Sequence, residues 1–396
     1  MVNIAIVVGV VLSGALLMWP RLANATLWRA TITPLASIIG SGFLVLGPIL
    51  DISYGAYAPL VMLGLCLTAY MFGWTIRFNI GQIETAENRS PVANFIESIA
   101  SAVLAFAYVI SVAYYLNLFG AFGVRLTSVD DSYHARLLTT GVFLVVLLVG
   151  WLRGFSALER LEQISVSLKL SIIAGLLVGL AIHLGQTAQA DELVLHAPTV
   201  SGWPAIMLAA GLLVTIQGFE TSRYLGDSYD VTTRIKSMKI AQWLSTAIYL
   251  CYILLLSYAF ETKLMTLKET AIIDLMIVVA PILPAILIAA ALSAQFSAAV
   301  ADTTSSGGLI CELMRGWVNA RVAYLIIVGF GVFLTWSANV FEIISYASRA
   351  FAAYYALQAS IAAVSARAVG TPVRAGLFGA TAIIAAFATI FGAPVE

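Results

Sequence analysis

Of the 396 residues, 61% are hydrophobic and only 10% are charged, a balance that excludes a soluble globular domain and leaves an integral membrane protein. The apolar runs continue for about 20 residues, so helices rather than the alternating strands of a membrane barrel cross the bilayer. Lys plus Arg and Asp plus Glu balance at 20 each, so net charge gives no argument for a nucleic-acid partner.

Roughly twelve apolar segments of spanning length are expected, centred near residues 11, 40, 67, 105, 144, 173, 213, 249, 297, 329, 352 and 382. The first, within residues 1–26, has a competing reading as a signal peptide, because Ala23-Asn24-Ala25 looks like a cleavage site. It lacks a basic leading region, and Arg21 follows the apolar run, which favours a helix with its N-terminus outside. The sequons at Asn24 and Asn88 then fall on the cytoplasmic side and are read as chance matches.

The second segment is interrupted by Ile39, Gly40, Ser41, Gly42 and Phe43, and the seventh by Ile216, Gln217, Gly218, Phe219 and Glu220. Hydrocarbon cannot solvate the backbone groups that such breaks expose, so they are expected only where protein or a wet cavity supplies partners. Paired breaks of this kind point to a transporter's binding site. The competing reading of the glycines is close packing of two helices.

In the fourth segment Glu97, Ser101, Tyr108 and Tyr115 share one helical face, and Tyr108, nearest mid-membrane, is the candidate for substrate contact. Lys169 sits well inside the sixth segment on the face of Ser165 and Glu162, where a lysine is costly unless it is paired or snorkels. Asp302, deep in the ninth segment, is the expected partner. Glu220 and Arg223 flank the second break and require water, backbone N–H groups or a basic partner. Phe219 reads equally as an aromatic gate or a packing residue. Glu342 and Arg349 share a face of the eleventh segment as a candidate structural pair.

The basic residues Arg21, Arg29, Arg77, Arg153, Arg160, Arg234, Lys236, Lys239, Arg315, Arg321, Arg367 and Arg374 fall in alternate connections, which the positive-inside rule makes cytoplasmic. Both termini are then outside. Cys66, Cys251 and Cys311 form no paired motif, and His134, His183 and His196 lack the spacing of a shared metal ligand set, so no metal site and no cofactor are expected.

Gly40 and Gly218 each open a run of five spans. An odd count inverts the second run relative to the first, giving a five-plus-five inverted repeat. The expected division is an extra N-terminal helix in 1–26, a first repeat in 27–187, a second in 200–367 and an extra C-terminal helix in 371–396. The fold class is an all-α polytopic membrane protein.

At Gly40-Ser41-Gly42-Phe43, Gly218-Phe219-Glu220, the stretch from Asp227 to Lys236, Ser167 to Leu170, Ala291 to Ser306 and Phe341 to Ser348, the chain resembles the amino acid–polyamine–organocation permeases. The resemblance runs from about Thr33 to Ala366. It implies the fold shared with neurotransmitter:sodium symporters, and in the family's proton-coupled or ion-independent members a lysine at the place of Lys169 occupies the space that sodium takes in relatives. The extra first helix and the run Ala301 to Ser306 look more like solute:sodium symporters, and Asp227 and Asp230 stand without the proline that often follows the sixth core helix.

The breaks suit a zwitterion. Freed N–H groups of the first would meet a carboxylate, and freed carbonyls around Ile216, Gln217 and Gly218 would accept from an ammonium. The expected function is a secondary active transporter of an amino acid or related amine, working by alternating access and coupled to protons or to exchange, multi-pass in a bacterial inner membrane. Its partners would be a small-molecule substrate and the lipid bilayer. The alternative is a sodium-coupled symporter, with Ser297, Thr303, Thr304 and Ser305 as candidate ligands. An intramembrane enzyme would need a nucleophile–base or metal-ligand pattern within the spans, a channel a filter sequence or ring of charge, and an ATP-driven pump a phosphate-binding loop; none of these patterns is visible.

Overall fold

Sequence this apolar must close its backbone hydrogen bonds internally, and it does so as α1 (Val2–Leu17), α2 (Pro20–Ala23), α3 (Thr26–Ile38), α4 (Gly42–Tyr54), α5 (Ala58–Thr85), α6 (Pro91–Val124), α7 (Ser132–Leu152), α8 (Glu159–Gln189), α9 (Gly202–Gly211), α10 (Val231–Ser257), α11 (Ala271–Val279), α12 (Leu283–Leu313), α13 (Ala320–Ser337), α14 (Val340–Ala368) and α15 (Pro372–Phe391). The computed structural model describes every residue except Ser41, residues 86–90, residues 153–158, Asp227, residues 262–266, residues 315–316 and Glu396; for residues 83–85 and 159–163 it describes the backbone alone. The expected roles of Ser41, Arg153, Asp227, Arg315 and the Asn88 sequon therefore lie outside the described residues, as do those of the Arg160 and Glu162 side chains.

Among the described residues, eight stretches are long and apolar enough to cross a bilayer. The other expected segments depart from that pattern for local reasons. Helix α1 has only 16 residues. The segments centred near 40 and 213 are interrupted as the sequence suggests, and α14, 29 residues long, carries Glu342, Arg349 and Arg367.

Helix ends sort into two sets. At one end Ala56 N–H donates to the His196 carbonyl, Thr199 N–H to Ser53, Val194 N–H to Tyr258 and Ala393 N–H to Met207. Ile6 lies against Gly175 and Gly179, which sets α1 antiparallel to α8 and brings Met1 to this same end. At the other end the Asn79 amide donates to Gln358, and Arg223 meets Glu97. The two ends of the chain thus share one side of the bundle, as an even number of crossings requires.

Two basic residues expected in connections are instead packed among helices. Arg77, within α5, donates to Gln242 of α10 and stacks over Tyr70. Arg234, in the first turn of α10, donates to the Arg223 carbonyl over 3.1 Å. Glu342 and Arg349 do not pair: Glu342 completes a capping box with Asn339 at the start of α14, and Arg349 Nε donates to the Thr389 carbonyl of α15.

The candidate substrate site

The first break begins where α3 runs out. Ile39 N–H still donates to Leu35, but Ile39 itself leaves helical geometry with ψ 62, and α4 starts at Gly42. A Cβ added at Gly42 would lie 2.5 Å from the Tyr114 hydroxyl and 3.1 Å from the backbone of Thr215. Glycine is required because another chain segment passes there. Phe43 is buried against the rings of Tyr249 and Tyr252.

That neighbouring segment is the second break. After α9 the chain tightens into a 3-10 turn at Leu213–Ile216, extends at Gln217, takes φ 117 at Gly218 and resumes as a 3-10 turn at Phe219–Tyr224. A Cβ on Gly218 would come within 2.4 Å of Ser37 Cβ and 2.8 Å of Ile38 N. The two breaks therefore cross in direct contact, each glycine on the backbone of the other segment.

Protein groups satisfy much of what the breaks expose. The Tyr249 hydroxyl of α10 donates to the Thr215 carbonyl and lies 3.0 Å from that of Ile38, joining both breaks through one proton. Val214 N–H donates to the Ser348 hydroxyl, 2.9 Å away. Glu220 turns back to accept from Gly218 N–H at 3.0 Å and from the Tyr355 hydroxyl at 2.8 Å. Phe219 stacks on Tyr355, which stacks in turn on Phe72, so this ring packs in the interior rather than standing over an opening. Arg223 meets Glu97 of α6 at 2.6 Å and also donates to Gln358 of α14. The carboxylate and the guanidinium beside the break thus have separate partners.

A cavity of about 610 Å³ opens beside this crossing. Its walls come from α3 (Arg29, Thr33, Ser37), α6 (Tyr108), α8 (Ser165), the segment after Gly218 (Thr221, Tyr224, Ser228, Tyr229) and α12 (Ser293, Ser297, Asp302, Thr304, Ser305). Arg29 and Ser228 are exposed at its mouth, on the side of the Arg223–Glu97 pair, while Tyr108 and Asp302 lie buried at its inner part. At the opposite end of the bundle α11 packs onto α4, α8 and α12, and Asp274 of α11 is held by Arg125, which also meets Asp130.

Of the residues expected from sequence, Tyr108, Asp302, Ser297, Thr304 and Ser305 line this cavity. Ile39, Gly40, Gly42, Phe43, Ile216, Gln217, Gly218, Phe219 and Glu220 are not among its lining residues; Ser37, two positions before Ile39, and Thr221, next to Glu220, are. Thr303 is fully buried and its hydroxyl donates to Ala299, so the four hydroxyls of the sodium alternative do not share one surface. Lys169 Nζ donates to the Ala36 carbonyl at 2.9 Å, in the last turn of α3. Asp302 instead accepts from the Ser111 hydroxyl of α6. The expected Lys169–Asp302 pair is therefore split: the lysine takes the negative end of a helix dipole, the carboxylate a hydroxyl.

Sequence reasoning missed Ser111 and Tyr249. Ser111 was within reach, three residues from Tyr108 on the same helix face. Tyr249 sits in an apolar span that gives no local sign of its contact with the two breaks.

A family model described as an APC superfamily transporter matches residues 20–392. A protein of Aquifex aeolicus (strain VF5), described as uncharacterized, is 42% identical over 354 residues, covering 87% of this chain and 85% of that protein.

Proposed function

Since the chain belongs to the APC superfamily of transporters, we propose that it is a secondary transporter of an amino acid or related amine, multi-pass in a bacterial inner membrane and working by alternating access. The observation that carries this reading is the cavity beside the crossed breaks, with its mouth at one end of the bundle while α11 covers the other. An arrangement open to one side is what a carrier passes through, whereas a pore would need a continuous path.

The five-plus-five inverted repeat is part of the proposal. It is supported by matching neighbours: the first interrupted segment, through α3, lies on α8, and the second, through α9 and its 3-10 turn, lies on α14. Under this reading α1 and α15 are the added helices, packed on α8 and α14 respectively.

Proton coupling or exchange is favoured over sodium by Lys169. Its ammonium already holds a carbonyl at the end of α3, and a second cation beside it would be repelled. Counterflow in proteoliposomes tests the whole reading. Saturable exchange of a labelled amino acid or amine, unchanged when sodium is replaced by choline, is expected. A sodium requirement would transfer the coupling role to oxygen ligands, and failure of every amino acid and amine to exchange would reject the substrate class.

A further inference from the structure

We infer that Asp302 is the residue that reads the substrate, by holding an ammonium group at the inner part of the cavity, and that the substrate is an amine of net positive charge that needs no carboxylate. The inference rests on the transport reading and narrows it.

Asp302 is only 6% exposed, yet it lines the cavity. A carboxylate offers about four acceptor positions, and among the described residues the hydrogen bond made to this one comes from Ser111. Buried charge in a membrane span calls for a countercharge. Nearby cations are engaged elsewhere: Lys169 on the Ala36 carbonyl and Arg223 on Glu97 and Gln358. Arg29, the basic residue among the described lining residues, is exposed at the mouth of the cavity, whereas Asp302 is buried. An ammonium group within the cavity would supply that countercharge.

Two hydroxyls of the α12 wall are set to accept rather than donate. The Ser297 hydroxyl donates to Ala294 and that of Thr304 to Val300, within their own helix, which leaves oxygen lone pairs facing the cavity. Such a wall fits N–H donors. Tyr108, which also lines the cavity, adds an aromatic ring as a neighbour for a cation.

A substrate carboxylate, by contrast, finds its place taken. The N–H of Gly218, freed by the second break, is already bonded to Glu220. The first break offers none from Gly40 or Gly42, which do not line the cavity, so the amine end carries recognition.

The test uses purified full-length protein in detergent, with thermal shift as the binding readout and putrescine, L-alanine and L-glutamate as probes. Putrescine should raise the melting temperature and the two amino acids should not. Asp302→Asn, which keeps the shape of the side chain, should weaken putrescine by at least about tenfold. Thr304→Val, which removes one acceptor and leaves the charge, should weaken it several-fold, and supplies the answer if Asp302→Asn does not fold. Alanine stabilising as well as putrescine, putrescine without effect, parent-like putrescine affinity in a folded Asp302→Asn, or parent-like affinity in Thr304→Val where Asp302→Asn does not fold, would each overturn the inference. Counterflow separates the two levels. Alanine exchange without a putrescine response leaves the transport reading standing and removes the amine site. Putrescine binding that depends on Asp302, without exchange of any probe, does the reverse.

Discussion

Gly218 shows how one position can serve packing and site geometry together. Its φ of 117 and the 2.4 Å approach of Ser37 to a would-be Cβ leave no room for a side chain, so Gly218→Val should lose folded protein, read as loss of the monodisperse peak in size-exclusion chromatography. Sequence alone suggests inserted protein that merely fails to bind, because a glycine against a substrate and a glycine against another backbone look identical in one dimension. The break itself was legible; its occupant was not. Tyr249→Phe isolates the other half of the crossing. It deprives two buried carbonyls of their shared donor, which should cost about 1–3 kcal/mol and lower the melting temperature. Lys169 is argued on its charge: if transport is coupled to protons through this residue, Lys169→Ala should impair net transport, and Lys169→Arg should keep the cation at the end of α3 without restoring coupling, since arginine does not give up its proton. Parent-like, pH-responsive uptake in Lys169→Ala would leave only a structural role for this residue.

At the scale of elements, the segment following the second break is too short to hold itself. Its 3-10 turn, Phe219–Tyr224, is fastened by Arg223 to Glu97 of α6 and Gln358 of α14, and Gln358 accepts in turn from Asn79 of α5. The Arg223 side chain is 8% exposed and that of Glu97 20%, so this pair is screened far less than one on a surface. Removing one partner leaves a mostly buried charge, and Arg223→Gln should cost about 3 kcal/mol, seen as a lower thermal midpoint in detergent. The spacing on α6 did single out Glu97, but it could not tell that the partner would come from the second break, because pairing across the bundle depends on distances that no helical period encodes. The start of α10 makes a second, milder case. Asp230 accepts from Thr233 N–H at 2.7 Å, and this bond holds its carboxyl below the usual range. A depressed folded-state pKa means that the capping contribution is present above the unfolded value and fades as pH falls through the folded one. Asp230→Asn keeps a capping oxygen and should remove that acid dependence without loss of the helix.

For the whole molecule, the order of crossings and the position of the cavity make one joint demand on topology. Apolar runs place the helices in sequence order, and alternating basic connections give an expectation for the sides, since both depend only on composition along the chain. Which side the cavity faces follows from packing: Arg29 and Ser228 stand at its mouth, while Met1 and Ala393 lie with the opposite set of helix ends. If the loop that carries Lys236 and Lys239 is cytoplasmic, the cavity opens inward and the closed face, with α11 held by Arg125, is external. Single cysteines in a background without Cys66, Cys251 and Cys311 can check this. Ser228→Cys should react with a membrane-impermeant maleimide in inverted vesicles and not in intact cells, and Val395→Cys should show the reverse. Labelling of both from the same side would break the odd count of crossings between them, made by α10, α12, α13, α14 and α15, and with it the two-ended arrangement. Opposite sidedness with the assignments exchanged would keep the bundle as described but turn the cavity outward, so the charge rule, rather than the packing, would be the step in error.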